Sequence, residues 1–343
     1  MTTMLVLGGT AWLGREVARA ARDAGQQVTC LARGESGQPL PDVEWVQADR
    51  GAPDGYAAVQ HRDWDVVLDV SWQPGLVRSA LAALADRAGH WLYVSSCSVY
   101  ADHSTAEADE SAPLLAPFEG PVASREVYGQ AKVGCEVACA AAVGDRLLVA
   151  RSCLIGGYGD PSDRFGYWPA RFAAAAAGTP AWAGSPAVLV PDDPELPTET
   201  LDVRDLAQWL VRCGERRTTG TYDVNGERHP LGGVLAACRD ATGHDGPVQA
   251  VPSRWLTAQG VTEFMGPRSL PLWLVDPDWR GFCARDGSAA RAAGWAPRPL
   301  AELVRESLRW EVEQGLDRER RAGLTPDQER DLLTAWAGDV HLT

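Results

Sequence analysis

The chain has 343 residues, 45% hydrophobic and 23% charged, with a formal net charge of −14. That length accommodates two domains or one large one, and the composition excludes a disordered or fibrous chain. The negative average field opposes nucleic acid and anionic membrane surfaces as partners.

The opening MTTMLVLGGT lacks the basic region and cleavage pattern of a signal peptide, and no apolar run reaches the roughly 20 residues that span a bilayer. A soluble, cytoplasmic protein with no membrane contact is expected. Eight cysteines include no CxxC pair and no Cys/His ligand set, so no metal site is expected and a reducing compartment fits. Cys135 and Cys139 read as small buried residues.

In chain order, MLVLG (4–8) reads as a strand and 12–24 as a helix with Leu13, Val17, Ala20 and Ala21 on one face. Strands follow at 27–32, 43–48 and 64–70, then a helix at 75–88 and a strand at 90–96. A long helix is expected over 124–142 and a buried strand over 146–155. Apolar strands alternating with helices imply an α/β fold, a doubly wound parallel sheet covered on both faces. After Ile155 the rhythm breaks into GGYGDPSDRFGYWP (156–169), a helix near 169–177 and a proline-rich stretch at 180–197. A strand and helix over 198–213 and a strand at 220–226 read as a return to the sheet, with further helices near 232–242, 299–314 and 326–337. The expected division is a core over 1–155, rejoined by about 198–226, and a smaller substrate-binding lobe from 156–197 and 227–343. Ligands in such sheets bind at the carboxyl ends of the strands.

LVLGGTAWLG places Gly8, Gly9 and Gly14, with Thr10, Trp12 and Leu13, between the first strand and the first helix. Glycine permits the tight turn, and the helix N-terminus offers free N–H groups and a positive dipole end to a pyrophosphate. Ala11 occupies the middle glycine position of the pattern. About 19 residues past Gly14, where NAD binding calls for a carboxylate, stands Arg33. Its fork suits a 2′-phosphate, which favours NADP(H) over NAD(H). Asp49 could accept a hydrogen bond from an adenine amino group or cap the strand end, and Arg50 could lie along the adenine face. Ser71, past the fourth strand, joins the cofactor-binding set.

Lys132 is the only lysine, so 31 of the 32 basic residues are arginines. It follows Tyr128 by four residues, which puts both side chains on one helix face. An ammonium near a phenol stabilises the phenolate and makes it a usable acid or base. A lysine placed at random would stand four after one of the seven tyrosines at 7 of 343 positions, about 2% of the time. VSSCSVY (94–100) ends the fifth strand, where Ser96 could orient a substrate carbonyl, with Ser95 and Ser98 as alternatives. Ser98, Tyr100, Arg164, Tyr167 and Trp168 are the candidate substrate-facing residues. Arg164 could pair with a phosphate or carboxylate, whereas Tyr167 and Trp168 could stack on a ring or simply pack the lobe.

Together the glycine loop, VSSCSVY, YGQAK, RSCLIGG and LDVRDLA resemble the extended short-chain dehydrogenase/reductase superfamily, in its NAD(P)-dependent epimerase/dehydratase branch. GGTAWLG, LARG and DPSDRFGYWP are most similar to bacterial reductase-like members related to the chloroplast stem-loop RNA-binding proteins. The resemblance implies a Rossmann-type core, a catalytic triad of Ser96, Tyr128 and Lys132, and contacts from Lys132 to the nicotinamide ribose and from Cys153 and Leu154 to the nicotinamide. It also implies a homodimer through the Tyr128 helix, along its small residues Gly134, Cys135, Ala138 and Ala142. Ala11 and Ser152 depart from the family pattern. So do Cys97 and Ser98, which stand where the sugar dehydratases carry an Asp-Glu pair and so argue against a sugar 4,6-dehydratase. The expected activity is hydride transfer, NAD(P)(H)-dependent, to or from a small carbonyl or alcohol that is sugar-like or a secondary metabolite. The alternatives are a nucleotide-sugar epimerase and a non-catalytic nucleotide- or RNA-binding protein. Against the last stand the charge and the intact Ser/Tyr/Lys set.

Overall fold

Runs such as MLVL and WLYV offer no polar face to water, so they pair on both edges and are covered on both sides. In the computed structural model, which describes residues 1–185 and 187–340, they form β1 (Thr3–Leu7), β2 (Gln27–Ala32), β3 (Glu44–Gln47), β4 (Val66–Asp69), β5 (Trp91–Ser96) and β6 (Leu147–Ser152). With the strand Gly220–Val224 these make one seven-stranded sheet in the order Gly220–Val224, β6, β5, β4, β1, β2, β3. Every pairing in it is parallel. The order reverses between β1 and β4, the place where a doubly wound sheet holds ligands at its carboxyl ends.

Helices α1 (Trp12–Asp23), α2 (Pro74–Leu84) and α3 (Tyr128–Val143) pack on the sheet together with Val203–Arg216. Pro74 opens α2 at a position whose N–H would lack a partner anyway. Alternate sheet residues Leu5, Leu7, Val67 and Tyr93 share one core with Val77 of α2 and Cys139 of α3. Nine of the sixteen α3 residues are buried, and a side chain at Gly129 would overlap the Ser98 carbonyl. Of its four small residues, Gly134 and Cys135 are buried within the chain, Ala138 is half-buried and Ala142 is exposed.

Three expectations need correction. The helix read from residue 124 begins at Tyr128, because Arg125–Val127 forms a tighter 3₁₀ turn. The single strand read over 146–155 is two: β6 ends at Ser152, and Leu154–Gly156 joins another sheet. The strand read from 198, Pro197–Asp202, does not return to the large sheet; it pairs with Leu154–Gly156 and with Arg228–Pro230. Strand propensity marks an extended segment without naming its partner.

The chain divides into two compact units, the first comprising Met1–Cys153, Val203–Asn225 and Arg285–Pro297, the second the remainder. The second holds that three-stranded sheet, a parallel pair of Val188–Pro191 with Val248–Val251, and helices Tyr167–Ala177, Leu231–Thr242, Leu300–Gln314 and Pro326–Val340. Within it Arg171, 2% exposed, is paired at 2.5 Å with fully buried Glu329 of the last helix. No helix among the described residues is long and apolar enough to cross a membrane.

Buried charge also ties the first unit together. The Arg151 guanidinium holds the Glu136 carboxylate of α3 (3.1 and 2.7 Å) and donates to the Tyr100 hydroxyl (3.0 Å). Tyr100 in turn donates to Asp223 (2.6 Å), which accepts from Arg285 (2.7 Å), while that guanidinium lies 3.3 Å from the Tyr100 ring centroid. Tyr100, 1% exposed, is therefore a core residue and not the substrate-facing group expected of it. Desolvation outweighs Arg285 and pushes the Asp223 carboxyl up to about 6. Asp223→Ala strands the buried Arg285 charge, and urea denaturation should show a loss of about 3–5 kcal/mol; a loss under about 1 kcal/mol would mean that Arg285 finds other partners.

Candidate active site

β1 turns into α1 with no room to spare. Gly8 adopts φ +96°, a conformation open to glycine, and its carbonyl accepts from Ala11 N–H (3.0 Å). A side chain at Gly9 would overlap the Cys30 sulfur, and one at Gly14 would overlap the Gly8 carbonyl. Ala11 caps α1 without a side-chain hydrogen bond, and the first turn contains no acid. The positive end of its dipole thus faces no capping acid and suits an anion. Thr10 is buried in the turn, and Trp12 and Leu13 are half-buried on the first helical turn. The glycine turn and the helix start are of a shape and polarity that fit a dinucleotide's pyrophosphate, with Ala11 at the cap position.

The adenosine end is less uniform. Arg33 is exposed past β2, and its guanidinium lies 3.0 Å from the Glu35 carboxylate. Asp49 is exposed and accepts from Gly51 N–H through one carboxylate oxygen (2.9 Å). Arg50 turns inward, contrary to expectation. It grips Asp69 with two nitrogens (2.9 and 2.5 Å) and donates to the Tyr56 hydroxyl (3.0 Å) and the Leu76 carbonyl (3.0 Å). A buried carboxylate at the end of β4 claims it.

That carboxylate also orders the centre. Asp69 accepts from Ser71 N–H (2.9 Å), and the Ser71 carbonyl accepts from the Tyr93 hydroxyl (3.0 Å) and from Lys132 Nζ (3.1 Å). Nζ also donates to the Val94 carbonyl (2.6 Å) and lies 4.8 Å from the Tyr93 ring centroid. Burial pushes the ammonium down to about 8, although Asp69 and Glu136 pull the other way. One turn earlier on α3, the Tyr128 ring packs at 5.5 Å on Trp72, the residue next to Ser71. Tyr128, Lys132 and Ser71 are thus gathered at one loop beyond β4.

Ser96 ends β5, nine-tenths buried. Its hydroxyl accepts from Ser98 N–H and donates to Ser98 Oγ, both at 3.2 Å, so it also caps the turn Cys97–Val99. Ser95 points the other way, to Glu136 (2.5 Å), which removes it as an alternative. Cys153, 7% exposed, closes the first unit with its N–H on the Val224 carbonyl (3.2 Å), and Leu154, 4% exposed, opens the second. Inside the second unit, Trp168 is fully buried with its indole N–H on the Pro271 carbonyl (2.7 Å). Tyr167, 2% exposed, packs edge-on against it. Both are packing residues rather than substrate-facing ones. Arg164 is half-buried, with Nε on the Ser162 hydroxyl (3.3 Å) and its guanidinium over Phe264. Sequence reasoning missed Asp69, Trp72 and Gln73. The signal was present in DVSWQPG, an acid closing a buried strand followed by a large aromatic before a helix-opening proline.

A family model for the NAD dependent epimerase/dehydratase family matches residues 4–224. The chain belongs to that family. No curated protein matches the sequence. Among solved structures it is similar to a UDP-N-acetylglucosamine 4-epimerase from Bacillus cereus, at 18% identity and TM-score 0.64, over 92% of this chain and 100% of the other. It is also similar to TunA, an NAD-dependent NDP-hexosamine 5,6-dehydratase of tunicamycin biosynthesis (18%, TM-score 0.65, 93% and 100%). A third is a UDP-glucose 4-epimerase from Bifidobacterium longum in complex with NAD+ and UDP (16%, TM-score 0.60, 91% and 98%). At such identities the likeness establishes a shared fold.

The Lys132 ammonium has a measurable signature. Between pH 8 and its ordinary 10.5 the folded chain sheds this proton while the unfolded chain keeps it, so stability rises with pH through that window. Lys132→Met lacks the effect. The wild-type-minus-variant difference in unfolding free energy should grow by about 3 kcal/mol across the window. A difference that stays flat would show that the ammonium is not desolvated.

Proposed function

We propose that this chain is an NAD(P)(H)-dependent oxidoreductase acting on a small-molecule carbonyl or alcohol, sugar-like or a secondary metabolite, with NADP(H) preferred. The observation that carries the reading is the placement of its only lysine. The ammonium is buried at the ends of β4 and β5, one helical turn from a tyrosine at the same loop.

The glycine turn and the α1 N-terminus would hold the pyrophosphate, and Arg33 a 2′-phosphate. A nicotinamide held there would supply or accept the hydride. Tyr128 gives the hydroxyl proton to the substrate oxygen during reduction and takes it back during oxidation. Lys132 stabilises the phenolate left behind, since an opposite charge favours the ionised form. The Ser96–Ser98 hydroxyl pair orients and polarises the carbonyl. Cys97, buried after Ser96, is no carboxylate acid or base, which supports redox chemistry over sugar 4,6-dehydration.

Epimerisation is a second reading, favoured by the similar structures, two of which are described as 4-epimerases. The same residues would serve it, with the cofactor reduced and reoxidised within one turnover. Cofactor that co-purifies and is never consumed supports that reading, whereas stoichiometric NADPH oxidation supports the reductase.

Tyr128→Phe should bind NADPH as wild type does and lose about 10²–10⁴ in turnover, the usual worth of general acid–base transfer. Unchanged turnover would remove Tyr128 from the mechanism. For the cofactor, titration of protein fluorescence should show NADPH binding more tightly than NADH. Arg33→Ala should weaken NADPH about tenfold while sparing NADH, and Glu35→Gln, which frees Arg33, should tighten NADPH. Equal NADPH affinities in all three proteins would overturn the NADP(H) preference.

A further inference from the structure

The loop leading into α3 is largely exposed, but Ala123 within it is buried, and its peptide groups are met by the segment after β4. The Gln73 carboxamide meets one residue with both of its edges. Oε1 accepts from Ala123 N–H (2.8 Å) and Nε2 donates to the Ala123 carbonyl (3.0 Å). Gly75 N–H bonds the Pro121 carbonyl (2.9 Å), which a side chain at Gly75 would crowd. Arg78 donates to the carbonyls of Glu119 (3.2 Å) and Gly120 (3.0 Å). The same segment supplies Trp72, against which the Tyr128 ring packs, and Ser71, whose carbonyl holds Lys132.

We propose that Gln73 is a positioning residue for Tyr128: its two-edged bond to Ala123 fixes the loop 119–127, and so holds the phenol against Trp72 and one turn from Lys132. This rests on the acid–base reading above. Ala123 is 5% exposed and receives both hydrogen bonds from a single side chain, so losing that side chain frees a buried peptide on both edges. The Gly75 and Arg78 bonds act two or more residues further from Tyr128, whereas Ala123 stands directly before the turn Ser124–Val127 that leads into it. An amide is required, because only a group with a donor and an acceptor side by side matches both edges of a peptide.

The test needs no substrate. With NADPH bound, ultraviolet difference titration of wild type should show an early phenolate step that is absent from Tyr128→Phe. Gln73→Leu should move that step up by about one pH unit and speed hydrogen exchange across 119–127. Gln73→Glu should exchange like Gln73→Leu at about pH 8 and approach wild type below about pH 4, where a protonated carboxyl again offers one donor and one acceptor. Faster exchange with an unmoved phenolate step would make Gln73 a structural strut and overturn the proposal, as would no change in either. A wild-type titration without the early step would overturn the acid–base reading itself.

Discussion

An ammonium buried beneath the ends of two parallel strands organises the first unit. Taking such a charge out of water is costly unless its protons are met. Here the carbonyls of Val94 and Ser71 and the face of Tyr93 meet them. The Ser71 peptide is therefore held from both sides, its carbonyl by Lys132 and Tyr93 and its N–H by Asp69. Asp69 needs Arg50 as its counter-ion. The sequence of charges, cation to anion to peptide to cation, runs from behind β4 to α3. Each member makes sense only with its neighbours in place.

This dependence separates what the chain declares locally from what it does not. Apolar runs declare strands because burial on two faces leaves few other options, and the spacing of Tyr128 and Lys132 declares a shared helix face. Both are local properties. Arg50 and Tyr100 read as ligand-facing in the sequence because an arginine or tyrosine at a strand end can turn either way. Partners 19 and 123 residues distant, Asp69 and Asp223, decide which way they turn. Tyr167 and Trp168 sit in a glycine-rich segment that looks exposed. Their burial depends on backbone far along the chain, such as Pro271 above the Trp168 indole.

The fold is similar to that of enzymes of nucleotide-sugar chemistry, and the side chains after its strand ends form a distinct set of contacts. Ser96 is followed by a cysteine turned into the core and a serine that shares its hydroxyl bond. Arg33 carries its own acidic neighbour. The loop beyond β4 carries an indole against the Tyr128 ring. A common sheet supplies the platform, and chemistry on such a fold is set by side chains at its strand ends.

Because arginine has displaced lysine everywhere else, the folded chain offers acylating reagents no lysine amine on its surface; the single one is only 3% exposed. A protease cutting after lysine likewise meets one sheltered target. Chemical tagging or nicking at that position would therefore report opening of the core at α3, a built-in gauge of local unfolding that requires no engineered label.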